Sequence, residues 1–344
     1  MRYFFLFFLV FFVSCNSNNK LTQKDKAECE NNNDCDFYEF CIKNECKNYS
    51  DYKFSSIQEL KDISVGSFII MSDNKGDADE DKRFKNMVEW SRKIGIDFII
   101  GLGDHLKINW PNKFLDFLKN NDFWFNNFYP AVADGENEYY GNGQGDWGAG
   151  GKFLEFLEFS KRKNTVLRSN GAEYYTKIKI KDLTIHLIQL HFPDTPRDAD
   201  VAWPPDSREY LVNTLKSINK TNKDLVIVGA HSINGKWYQY LNAEQLEVVK
   251  NKVDLGLSAT IHVFGRYKTG ESPYEKVLFL NTGSITRPSI NGGEGFILVF
   301  VLENPYRIVL QYVDPKKKGL EFDTRYPVYV KDISGFIKEV SYKE

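Results

Sequence analysis

Apolar runs alternate with amphipathic stretches from about residue 63 to the end of the chain. The runs "VGSFIIMSD" and "IDFIIGLGD" each predict a buried strand, and each ends at an aspartate. Between them, "DEDKRFKNMVEWSRKIG" places apolar side chains on one helical face, with acidic residues at its start and a glycine at its end. This order predicts two parallel strands joined by a right-handed crossover.

The same alternation continues through the rest of the chain. A helix is predicted at 111–120, a strand at "FYPAVAD", and a hairpin from "EYYTKIKI" and "LTIHLIQL". The remaining elements are the helix "PDSREYLVNTLKSINK", the strand "DLVIVGAH", the helix "NAEQLEVVKNK", and the strands "ATIHVFG", "KVLFLNTGS", "GFILVFVLE" and "YRIVLQYV". The pattern predicts an α/β fold that becomes antiparallel towards the C-terminus.

The first fifteen residues, "MRYFFLFFLVFFVSC", have a different character from the rest. Their apolar stretch is too short for a permanent membrane span, so it predicts an export signal, with a buried core element as the alternative. The segment resembles a bacterial lipoprotein signal (1–15), which implies a lipidated Cys15 followed by a flexible tether (16–28). That resemblance implies a membrane partner through the N-terminal lipid and a place in the cell envelope, on the periplasmic or surface side.

The other four cysteines lie close together in residues 29–46, at Cys29, Cys35, Cys41 and Cys46. In an exported chain an even set at such spacing predicts two disulfides, and three pairings remain open. A zinc site is the alternative, but no histidine flanks these cysteines. The sequence thus predicts a small disulfide-rich segment, a linker at 47–62 and one larger domain at 63–344.

Composition adds two limits. With 344 residues, 42% of them hydrophobic, the chain can bury a large core. A formal charge of −2 gives no support for a surface that binds nucleic acid, so no nucleic-acid partner is expected.

Polar motifs end five of the predicted strands or follow them closely: "SDNKG", "GLGDH", "DGENE", "VGAHS" and "FGRYK". In order and spacing, over about residues 63 to 315, they resemble the motifs of the calcineurin-like metallophosphoesterases. The resemblance implies a two-sheet β-sandwich flanked by helices. It also implies a pair of divalent metals that generate a hydroxide to attack a phosphoester.

The resemblance assigns metal-ligand roles to four residues. Asp73 matches the first aspartate and Asp104 the bridging one, while Glu136 matches the asparagine ligand and His231 the single histidine ligand. Four other residues depart from the motifs: Lys75 replaces a histidine ligand, Asn137 stands where the catalytic histidine (the general acid) belongs, and Arg266 and Lys268 replace both histidines of the last motif.

These departures change the expected chemistry. A protonated lysine or arginine has no lone pair for a cation, and a unit charge about 4 Å from a divalent ion is repelled by about 8 kcal/mol at an effective dielectric near 20. Lys75, Arg266 and Lys268 are therefore predicted to fill the metal space as a salt-bridge network or an anion site. The cofactor prediction is none, with one divalent metal (Mn, Fe or Zn) on Asp104, Glu136 and His231 as the alternative.

The predicted function follows from these losses. It is a catalytically impaired phosphoesterase domain on an exported lipoprotein, binding a phosphate-containing or protein ligand; the alternative is an active single-metal phosphoesterase. Among the other histidines, His105 is predicted to cap a loop more readily than to catalyse, and His186 and His262 are predicted to lie in the sheet. His191 is expected in a loop opposite the site and stays a candidate.

Overall fold

The structure is a computed structural model. It describes residues 39–42, 45–48, 57–74, 78–106, 113–141, 149–191, 203–232, 240–259, 262–267, 276–285, 295–303, 306–314, 326–332, 335 and 337–340. Five residues of the predictions lie outside these ranges: Cys15, Cys29, Cys35, Lys75 and Lys268.

Two seven-stranded sheets form the centre of the fold. From edge to edge, the first sheet contains β16 (Ile337–Val340), β15 (Val328–Asp332), β14 (Arg307–Val313), β13 (Phe296–Leu302), β3 (Gly66–Met71), β4 (Phe98–Gly101) and β5 (Phe128–Pro130). The second contains β11 (Phe264–Arg266), β12 (Leu278–Thr282), β10 (Leu255–Ser258), β9 (Asp224–Gly229), β8 (Leu183–Gln189), β7 (Tyr174–Ile180) and β6 (Thr165–Leu167).

Helices connect the strands. They are α1 (Ile57–Ile63), α2 (Ala78–Ile94), α3 (Lys113–Lys119), α4 (Asp122–Asn127), α5 (Asp134–Tyr140), α6 (Gly151–Phe156), α7 (Pro205–Ser217) and α8 (Ala243–Lys252), with a short 3₁₀ turn at Phe159–Lys161. None of the described helices has the length and hydropathy needed to cross a bilayer.

The core lies in three layers, because the central strands bury both of their faces. On β3, Phe68 and Ile70 belong to the apolar cluster between the sheets, whereas Ile69 and Met71 belong to the cluster that includes residues of α1 to α4. A third cluster joins the outer face of the second sheet to α7 and α8. The result is a β-sandwich covered by helices, which confirms the predicted α/β fold class.

The strand pairing confirms several sequence predictions. Strands β3 and β4 are parallel, with Phe68 opposite Phe98, and β7 pairs antiparallel with β8. Towards the C-terminus, β13, β14, β15 and β16 are antiparallel.

Three local predictions were wrong. The "ATIHVFG" run is not one strand: β10 ends at Ser258, and β11 begins at Phe264. The "FYPAVAD" run was predicted as a strand to its end, but β5 ends at Pro130 and α5 begins at Asp134. The core begins at Ile57, inside the stretch predicted as a linker, because α1 buries Ile57 and Leu60 completely.

A separate hairpin precedes this domain. It consists of β1 (Glu39–Ile42) and β2 (Glu45–Asn48), and its register places Cys41 directly opposite Cys46.

Candidate metal centre

The carboxyl ends of three parallel strands bring three potential metal ligands together. Asp73 follows β3 and Asp104 follows β4 in the first sheet, whereas His231 follows β9 in the second. One ligand atom from each of these buried residues lies within 4.8 Å of the others. The sequence singled out all three residues because they lie in strand-end motifs to which the resemblance assigns metal-ligand roles.

The backbone at this edge is strained. Asp73 and Asp104 have φ values of 50° and 57°, and His262, which also reaches the site, has a φ of 51°. Non-glycine residues rarely adopt this left-handed conformation, and it costs about 1–3 kcal/mol where the surroundings impose it. Such strain is typical of functional sites.

A backbone hydrogen bond orients the Asp104 carboxylate beside His231. Gly135 at the start of α5 donates its backbone N–H to Asp104 Oδ1 at 2.8 Å. The other oxygen, Oδ2, lies 3.5 Å from His231 Nε2. A side chain at position 135 would collide with this arrangement, because its Cβ would lie 2.5 Å from the Leu106 carbonyl oxygen. Glycine is thus required beside the carboxylate.

The orientation of His231 suits a metal ligand. Its Nδ1 lies 2.7 Å from the carbonyl oxygen of Leu102, which only accepts, so Nδ1 carries the proton and donates. This tautomer places the lone pair on Nε2, on the side of Asp104, and metal-binding histidines are commonly fixed in this way. Two carboxylates and one imidazole in this arrangement fit a divalent cation such as Mn, Fe or Zn.

His262 adds a second imidazole that the sequence analysis misplaced. It lies after the end of β10 and not inside a strand, and its Nε2 is 3.0 Å from Asp73 Oδ1. The period-two alternation of "TIHVF" concealed this position, because it is also the pattern of a strand. The signal that could have found it is the preceding apolar stretch "VDLGLSA", which ends as β10 ends.

The topology corrects the prediction for Arg266. Strand β11 is antiparallel to β12, with Phe264 opposite Thr282 and Arg266 opposite Leu280. The carboxyl end of β12 is the one near the site, since Ser284 donates its hydroxyl to the Asp73 carbonyl oxygen. Arg266 ends β11 at the other side and donates its backbone N–H to the Tyr329 hydroxyl. The last motif was therefore aligned to the wrong strand end.

Glu136 differs from the role that the resemblance implied. It is completely buried, and its carboxylate accepts four backbone N–H groups: from Asp104 at 3.1 Å, His105 at 2.7 Å, Leu106 at 3.2 Å and Ala133 at 2.9 Å. A carboxylate has about four lone-pair positions, and these donors fill them. Glu136 thus supports the turn that carries Asp104 and does not serve as a ligand.

His105 also supports this turn. Its Nδ1 is hydrogen-bonded to the side-chain oxygen of Asn74, and its Nε2 accepts the backbone N–H of Gly103 at 3.2 Å. Both ring nitrogens are therefore in use, and the ring packs against Phe114 and Phe128. This geometry agrees with the loop-capping role.

Asn137, at the general-acid position, is paired with a histidine from the second sheet. Its Oδ1 accepts the Gly150 N–H at 3.0 Å, which fixes the amide so that Nδ2 faces His191 Nε2 at 2.9 Å. The loop position of His191 had suggested that it lies opposite the site. The contact with Asn137 shows a different position. His191 follows β8, which pairs in parallel with β9, the strand that His231 follows.

The arrangement bears on the cofactor prediction. The cluster of Asp73, Asp104 and His231 favours the alternative prediction, one divalent metal, over the prediction of no cofactor. Lys75 and Lys268 were predicted to fill the metal space together with Arg266. Both lysines lie outside the described residues.

Comparisons with known proteins give similarities to solved structures. No family model matches the chain, and no curated protein matches it. A dimetal phosphatase from Danio rerio is 10% identical with a TM-score of 0.48, covering 81% of this chain and 100% of that one. GAP50, the anchor in the inner membrane complex of Plasmodium, is 15% identical with a TM-score of 0.47, covering 81% and 89%. The E. coli phosphoesterase Yfce is 12% identical with a TM-score of 0.35, covering 80% and 100%.

Proposed function

We propose that this protein binds one divalent metal ion through Asp73, Asp104 and His231 and hydrolyses phosphoesters with it. The observation that carries the proposal is the cluster of buried ligand atoms within 4.8 Å of one another. His262, in contact with Asp73, offers a further donor atom. The strand-end motifs that resemble those of metallophosphoesterases support the choice of a phosphoester as substrate.

The residues of the site have separate tasks. When bound, a divalent cation supplies Lewis-acid polarisation of a phosphoryl oxygen and acidifies water. Asp104 is held for this purpose by the N–H of Gly135, and His231 by the carbonyl oxygen of Leu102. The carboxylates also balance the cation's charge, which matters because both are buried.

Slow turnover is part of the proposal. The Asn137 side chain is a neutral amide, whose N–H groups donate hydrogen bonds but are not acidic enough to act as a general acid for a leaving alkoxide. A missing general acid typically costs about 100-fold or more in rate. Among phosphoesters, those with good leaving groups should therefore be the better substrates.

The N-terminal segments and the location of the protein are part of the same proposal. We propose an exported protein, lipid-anchored at Cys15 in the cell envelope, with disulfides among the four clustered cysteines. The N-terminal sequence supports export, and the close spacing of the four cysteines supports disulfides. Mass spectrometry of the mature protein would test both points: an intact, unlipidated N-terminus or four free thiols would contradict them.

Metal analysis together with turnover tests the function. We expect about one equivalent of Mn, Fe or Zn per chain and metal-dependent hydrolysis of p-nitrophenyl phosphate or its bis ester. Asp104→Asn and His231→Ala should lose both metal and turnover. The matched control is His186→Ala, because His186 is a buried histidine on β8 outside the site.

The outcomes separate the alternatives. Wild-type protein without metal and without turnover contradicts the proposal. Metal without turnover leaves the catalytically impaired, ligand-binding protein that the sequence first indicated. Turnover that survives in Asp104→Asn and His231→Ala means that hydrolysis takes place elsewhere.

A further inference from the structure

The position of His191 places it in the site. Strands β8 and β9 are parallel, with Gln189 opposite Gly229. Extending this register two residues past the ends of β8 and β9 pairs His191 with His231, and neighbouring strands are about 4.8 Å apart. The N–H of Leu190 still donates to the Gly229 carbonyl oxygen at 2.9 Å, so the pairing continues to this edge.

The backbone and the ring of His191 are both anchored. Its backbone N–H donates to the Oε1 of buried Glu173 at 3.3 Å, and Glu173 is itself paired with Arg168. Its ring nitrogen Nε2 faces the Asn137 amide, whose orientation is fixed by the N–H of Gly150. A side chain held in this way does not need to be ordered again when a ligand binds.

The partner of Nε2 decides the tautomer. Because Asn137 donates to Nε2, that nitrogen must accept, and the proton of the neutral ring lies on Nδ1. Burial lowers the pKa of His191 to about 4, which agrees with a neutral ring near pH 7. Among the described residues, Nδ1 has no hydrogen-bond partner.

We propose that His191 contacts the substrate, donating a hydrogen bond from Nδ1–H to a phosphoryl oxygen while Asn137 holds Nε2. The inference rests on the proposed function, because it needs a phosphoryl group at the metal centre. The family-type histidine is absent at position 137, and the imidazole comes from the second sheet instead. It acts as a neutral donor and transfers no proton, so slow turnover is still expected.

Substitutions by asparagine and glutamine test which ring nitrogen acts, because each amide places an N–H near one of the two ring nitrogens. Binding of inorganic phosphate to the metal-loaded protein is measured by calorimetry. In His191→Asn the side-chain N–H replaces Nδ1–H, whereas in His191→Gln it replaces the Nε2 position. A hydrogen bond to a charged group corresponds to about tenfold or more in Kd. We expect that loss in His191→Ala and His191→Gln, and a Kd within about threefold of wild type in His191→Asn.

A control separates binding from folding. His186→Asn makes the same substitution at a buried histidine outside the site, on β8, the strand that His191 follows. It should lower stability without changing the phosphate Kd. In side-chain ¹⁵N spectra, the wild-type His191 ring should be the Nδ1–H tautomer, and phosphate should shift that resonance.

Several results would overturn the inference. These are an unchanged phosphate Kd in His191→Ala, rescue by Gln instead of Asn, an Nε2–H tautomer, or wild-type protein that does not bind phosphate. Turnover without any dependence on His191 contradicts this inference alone. If the phosphate Kd values of the His191 variants follow the expected pattern but the wild-type protein has no turnover, only the proposed hydrolysis is contradicted.

Discussion

The sharpest structural prediction concerns Glu136, whose carboxylate accepts four backbone N–H groups in the interior. In Glu136→Gln one oxygen becomes an amide NH₂, which cannot accept. At least two N–H groups then lose their acceptor, and the new donor faces them. We expect a large loss of stability although the two side chains have almost the same shape.

The magnitude follows from the hydrogen bonds that are lost. A buried donor left without an acceptor costs about 1–3 kcal/mol. Two such donors give about 4 kcal/mol, a large part of the 5–15 kcal/mol that typically keeps a protein folded. With a denaturant slope of about 3 kcal/mol per molar urea, the unfolding midpoint should fall by about 1 M.

Urea unfolding followed by circular dichroism measures this change. The matched control is Glu138→Gln, because Glu138 is exposed on the same helix; its midpoint should stay within the error of wild type. If Glu136→Gln unfolds like wild type but loses metal, Glu136 is a ligand after all and the supporting role is refuted.

Two further predictions concern packing and pH. Gly135→Ala places Cβ 2.5 Å from the Leu106 carbonyl oxygen, so it should destabilise the fold and lose metal. Gly265→Ala should do neither, because no atom of the described residues that are not its chain neighbours lies within 4 Å of the added Cβ; equal metal content and midpoints in the two variants would contradict this. Burial holds the pKa of His186 below its ordinary value, so folding stability should fall as the pH drops below about 6.5. In His186→Gln the slope of the free energy of unfolding against pH, from urea midpoints, should decrease by an amount that corresponds to at most one proton taken up on unfolding. An unchanged slope would refute this prediction.

The pattern of apolar residues predicted the strands that carry the site, because buried strands read as continuous apolar runs. It predicted β3, β4, β8 and β9 and so the edge at which Asp73, Asp104 and His231 meet. It missed β10, since the short "LGLS" run contains a glycine and a serine. Propensity for α5 was hidden because "DGEN" is typical of a turn.

The errors within the site have one cause, which is that single motifs do not reveal what their side chains contact. Glu136 has the chemistry of a ligand, and only the tertiary structure places four backbone donors around it. Arg266 was assigned to the site by order along the chain, but the direction of β11 removes it. His262 follows β10 and His191 follows β8, and the sequence does not specify that the first contacts Asp73 and the second Asn137.

The candidate centre spans the seam between the sheets. Asp73 and Asp104 extend from one half of the sandwich and His231 from the other. A cation bound by all three residues would cross-link the two sheets, since the sheets cannot separate without breaking metal–ligand bonds. Chelation should then lower the melting temperature of the whole domain, and loosening should begin along this seam.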